Sequence, residues 1–218
     1  MTRTDHLIDR LSAEPEIKTV PVIKLYAGVL AAVTLAIGLI GLWALGQWGN
    51  PVREGYPRLM LQPLVAAKQL IPLLIVATAI PLVILLARPE TTLAGKTIPV
   101  LTSLIILPVM MVAVVLSVPA ASAAPIILGS SLVQCLVSIP LLALPIVLAQ
   151  IAVLRHGAVT KPRLAGALAG VTAGGLAAAI YAMVCIEDNP GFYGLWYSVD
   201  ILITGAIGAV LGKLALKW

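Results

Sequence analysis

Six stretches of roughly 20 residues, apolar on every face, constrain this chain more than any motif it carries. They fall at about 25–46, 67–87, 97–117, 132–154, 164–184 and 195–216. A hydrocarbon core about 30 Å thick is crossed by about 20 helical residues. In lipid the backbone N–H and C=O groups must be paired within the segment, so such runs become helices. The alternation expected of a membrane β-barrel is absent. Composition agrees, with 61% hydrophobic and 11% charged residues and a mean hydropathy of +1.08. A soluble domain could not cover its surface with so few polar groups. The expectation is an all-α polytopic membrane protein with six transmembrane helices. Residues 1–24 form its tail and 25–218 its transmembrane domain. The first run is expected to be a span rather than a cleaved signal, because it is long and follows a tail bearing four acids.

The basic residues give the expected orientation. Eleven fall in the tail (Arg3, Arg10, Lys18, Lys24), the second connection (Arg88, Lys96), the fourth (Arg155, Lys161, Arg163) and the C-terminus (Lys213, Lys217). Three, Arg53, Arg58 and Lys68, fall on the other side. The positive-inside rule then makes both termini cytoplasmic. A net charge of +5 could suit nucleic acid, but the basic residues are dispersed at segment ends, so no direct nucleic-acid contact is expected. Trp43, Trp48, Tyr56, Tyr181, Phe192, Tyr193, Trp196 and Tyr197 fall near the outer boundary, where amphipathic rings prefer to sit.

Inside the bundle, close backbone approach replaces the hydrophobic drive. Gly166, Gly170 and Gly174 in the fifth run and Gly205, Gly208 and Gly212 in the sixth predict tight packing of those two helices. Pro72, Pro81, Pro99, Pro108, Pro140 and Pro145 in runs two to four are expected to act as kinks.

The stretch YAMVCIEDNPGFYGLWYSVD, residues 181–200, concentrates polar chemistry. It holds one of two cysteines, three of nine acids and five of ten aromatics. Cys185 leaves the fifth run and Cys135 begins the fourth, so both are expected near the outer face. There they can bridge, bind a soft metal ion, or simply fill small gaps. Asp200 is the acid placed well inside a run, reading either as a functional intramembrane carboxylate or as an interfacial one near a helix N-terminus. Glu187 and Asp188 precede the turn signal Asn189-Pro190-Gly191 and read as solvated loop acids. No catalytic constellation is present: no nucleophile elbow, no phosphate-cradling loop, no HExxH. Neither an enzyme nor a cofactor is expected.

The tail begins MTRTDHLIDRLSAEP. Thr2 and Asp5 have capping-box spacing, and Leu7, Ile8 and Leu11 share one face away from Asp5 and Asp9. Pro15 ends a run too short to be a stable isolated helix, so this short amphipathic helix is expected to order on a partner's groove. Acids beside its apolar face fit an anionic membrane surface poorly.

These pieces together resemble the NrsF-type anti-sigma factors, six-span proteins that negatively regulate extracytoplasmic-function (ECF) sigma factors of the sigma-F kind. The tail TDHLIDRLSAE resembles the family's N-terminal signature at Thr4, Asp5, Leu7, Ile8, Asp9 and Leu11. LRHGAVTKPRLAGALAG resembles its basic loop and glycine-rich helix, and CIEDNPGFYGLWY its last outer loop. Cys135 corresponds to the family's other cysteine. The first outer loop, 47–66, lies outside the resemblance. The resemblance implies that the tail residues hold an ECF sigma factor at the bacterial inner membrane. It also implies that Cys135 and Cys185 take part in sensing stress at the outer face. The rival readings are a small transporter or channel subunit using proline-kinked helices and Asp200, and an assembly subunit of a membrane complex.

Overall fold

The computed structural model describes residues 22–46, 52–89 and 95–216. The expected tail helix, with Thr4, Asp5, Leu7, Ile8, Asp9 and Leu11, lies outside the described residues. All regular structure among those described is helical: α1 (Val22–Gly46), α2 (Tyr56–Leu59), α3 (Pro63–Leu86), α4 (Ile98–Ser117), α5 (Ala120–Leu128), α6 (Leu132–Leu154), α7 (Pro162–Ala182) and α8 (Pro190–Ala215). Six of these, α1, α3, α4, α6, α7 and α8, are long and apolar enough to cross a membrane. Their outward faces carry Leu35, Leu39, Leu116, Leu141 and Leu214, all exposed. That apolar exterior suits lipid and not water.

The helices start earlier than hydropathy suggests at three places. α3, α7 and α8 open on Pro63, Pro162 and Pro190. Proline is well suited there, since its missing N–H would have no intrahelical partner anyway. Asn189 caps α8, its side-chain oxygen accepting from Gly191 N at 2.8 Å. The Asn-Pro-Gly turn signal is therefore a helix start. Pro99, expected in the interior of a span, likewise stands in the first turn of α4.

The centre of the bundle is α7. Fifteen of its 21 residues are buried, against three of 20 in α4. Its Gly- and Ala-rich sequence makes this position attainable, because side-chain bulk would keep neighbours apart. A Cβ at Gly166 would overlap the carbonyl of Gly208, and one at Gly170 the carbonyl of Thr204. Gly212 is blocked in the same way by Pro162 O. The expected pairing of the last two spans is thus a seam of backbone on backbone. On its other side α7 meets α3, where a Cβ at Gly175 would stand 2.7 Å from Val76 and 3.0 Å from Pro72 O.

Charge separates to the two ends. Ala158 N donates to Ala87 O at 3.0 Å, bringing the connections that carry Arg88 and Arg155 together. Lys161, Arg163 and Lys213 line one cleft at that same end. The start of α1 lies there too: Tyr26 Oη donates to Gln150 Oε1 at 2.5 Å, and Gln150 Nε2 donates to Ala169 O at 3.2 Å. Arg53, Lys68, Glu187 and Asp188 gather at the opposite end.

Candidate functional site

Cys135 is the fourth residue of α6 and is 0% exposed. Its thiol donates to Asp200 Oδ2 at 3.5 Å. Cys185 stands three residues beyond α7 at 3% exposure, its sulfur 4.0 Å from Ser131 Oγ. The two cysteines share Ser131 as a neighbour, its carbonyl accepting from Cys135 N at 2.9 Å, and both thiols are free. The structure therefore brings together Cys135 and Cys185, the two outer-face candidates of the sequence, and Asp200. Asp200 is 0% exposed and ten residues into α8, about three turns. Its carboxyl is covered from the surface and meets a cysteine of α6.

Rings close the chamber around these groups. Tyr181, Phe192, Tyr193 and Tyr197 are buried, with Tyr197 at 6.4 Å from Tyr181 and 6.1 Å from Tyr193 between ring centroids. They pack inward instead of forming an exposed belt, which is the role left to Trp43 at 67% exposure. Their polar tips tie down neighbouring segments. Tyr193 Oη donates to Leu64 O at 3.0 Å, and Trp196 Nε1 donates to Ile127 O at 2.7 Å. Two buried oxygens, Tyr197 Oη and Asp200 Oδ1, have no hydrogen-bond partner. Such orphans are uncommon in folded proteins. Among the described residues no three His, Cys, Asp or Glu are grouped to hold a metal ion.

A charged clasp forms the roof. Lys68 belongs to α3 and is 1% exposed, and its ammonium donates to Cys185 O at 2.6 Å and to Asp188 Oδ1 at 3.4 Å. Arg53 pairs with the other Asp188 oxygen at 2.5 Å, and its backbone N donates to Met183 O at 3.2 Å. Glu187 Oε1 accepts from both Ser130 N and Ser130 Oγ at 2.7 Å. The Ser130 amide, and then its hydroxyl, hold the Glu187 carboxyl below the usual glutamate range against partial burial. The turn that presents Ser130 depends on Gly129, whose φ of +57° suits glycine and whose missing Cβ leaves room for Phe192.

This roof corrects the sequence reading of Glu187 and Asp188. They are partly exposed loop acids that are also engaged, one with a serine turn and the other with two cations. Lys68, Arg53 and Ser130 were missed as site residues. For Lys68 the signal was available: an ionisable residue inside an apolar run that begins at Pro63 is functional by default. For Arg53 and Ser130 nothing local in sequence points to the contact.

Six helices long and apolar enough to cross a membrane, with buried thiols and a charged clasp at one end, define an all-helical protein of membrane type. The chain belongs to the NrsF family: the family profile, described as negative regulator of sigma F, matches residues 18–218. It is 38% identical over 90 residues to the probable anti-sigma-F factor NrsF of Azospira oryzae and, over the same length, to the anti-sigma-F factor NrsF of Caulobacter vibrioides. Each match takes in 41% of this chain and 42% of the relative's length. No solved structure matches the chain.

Proposed function

We propose that the protein is an anti-sigma factor of the bacterial inner membrane, with both termini in the cytoplasm. Its tail residues Thr4, Asp5, Leu7, Ile8, Asp9 and Leu11 hold an ECF sigma factor, and reaction of Cys135 and Cys185 with an outer-face oxidant or soft metal ion releases it. Family membership and the names of the two relatives support the regulatory role. One observation carries the signalling part: the thiols lie together at one end of α6, while the start of α1 is fastened to its other end. Cys135 and Gln150 are 15 residues apart on that helix, about 22 Å. Three apolar anchors that fold on binding provide modest affinity, because ordering consumes several kcal/mol. The cationic end with Arg155, Lys161, Arg163 and Lys213 adds electrostatic contact to the sigma factor.

A strain carrying Cys135→Ser and Cys185→Ser tests the reading through a sigma-dependent reporter. Basal repression should persist while induction by oxidants and soft metals is lost. A normal response would remove the thiols from the signalling role. Deleting residues 1–14 should raise reporter activity without any inducer, and unchanged repression would remove the tail from sigma-factor binding.

A further inference from the structure

We infer that Lys68, Asp188 and Arg53 form an electrostatic latch that controls when Cys185 can be reached from the aqueous phase. Its place in signalling rests on the reading above, but the latch itself is independent of any sigma factor.

An ammonium buried among Val65, Pro72 and the loop needs acceptors, because leaving it unpaired in an apolar setting is very costly. Lys68 has two, and both belong to the segment 183–188 that carries Cys185. One is the carbonyl of Cys185 itself. Asp188 is then shared with Arg53, which also grips the segment through Met183 O and, at 3.5 Å, Ile186 O. The two cations thus hold Met183, Cys185, Ile186 and Asp188, four residues of six. With the segment so held, Cys185 is 3% exposed and Cys135 is fully covered. No dissolved reagent reaches either sulfur until the segment moves. Lys68 is accordingly a positioning residue for Cys185: it holds the residue by its main chain and leaves the sulfur to Ser131. Cys135 is fastened differently, through Asp200 on α8, so release of the latch exposes Cys185 first.

Removing the charge of Asp188 leaves the Lys68 ammonium hydrogen-bonded to neutral oxygens alone. The cheapest relief is for Lys68 to swing to water, taking the anchor of Cys185 O with it.

The test uses the full-length protein in lipid nanodiscs and the rate at which N-ethylmaleimide alkylates Cys185 in a Cys135→Ser background. Asp188→Asn should raise that rate by about tenfold or more, in line with loss of a charge-assisted contact. Arg53→Gln, at a half-exposed position where folding is not at stake, should raise it by about threefold. Added salt should speed labelling with the latch intact and leave the Asp188→Asn rate flat, since screening has nothing left to weaken. Cys135, followed in a Cys185→Ser background, should stay slow throughout. Rates within about twofold of the parent in both latch variants, or equal acceleration of the two thiols, would overturn the inference.

Discussion

At the scale of single residues, ionisable groups are kept at the thiol end only by specific partners. Lys68 sits among hydrocarbon because Asp188 and a carbonyl face it, and Asp200 because a thiol does. Glu187 offers a direct check. Its carboxyl is held below the ordinary range, so the folded state favours the charged form. The contribution is present above the unfolded glutamate value and fades as pH falls through the lowered folded value. Thermal stability should therefore fall more steeply on acidification in the parent than in Glu187→Gln, as a melting series would read out. Sequence made Cys135, Cys185 and Asp200 visible because each is rare in its surroundings. Lys68 was just as visible inside its apolar run but was passed over, because positive-inside counting treats every cation near a span end alike, whether it faces water or an acid.

Among helices, the backbone seam between α7 and α8 was legible in full, since glycines four apart leave little else to do in lipid. Gly170→Val should destabilise the bundle by about 2 kcal/mol or more, because the obstructing atom is a main-chain carbonyl that cannot turn aside. Gly28→Ala, with nothing within 4 Å, should change stability by less than about 0.5 kcal/mol. Denaturation in mixed detergent micelles compares the two. The short helices α2 and α5 were not legible, being too brief or too uniformly apolar for a pattern to emerge. The tie from α1 to α6 was equally hidden, for Tyr26 and Gln150 are 124 positions apart. Tyr26→Phe would leave a buried amide oxygen without its donor and should cost about 1–3 kcal/mol in the same assay.

Across the whole molecule, the polarity of the two ends is the property on which signalling would depend. Cysteine placed at residue 5 in a chain lacking Cys135 and Cys185 should be protected from an impermeant thiol reagent in intact cells. Residue 185, in a chain whose clasp is opened by Asp188→Asn, should be labelled. Labelling of both in intact cells would refute the proposed orientation. Most of the architecture could be read from hydropathy because lipid penalises every unpaired backbone group equally. The chamber could not, since its residues come from five separate parts of the chain.

The buried amine of α3 also bears on biogenesis. Its segment precedes residues 183–188 by more than a hundred positions in the chain, so during synthesis Lys68 exists well before the acid it pairs with. The pairing with Asp188 can close only after the last loop has been made.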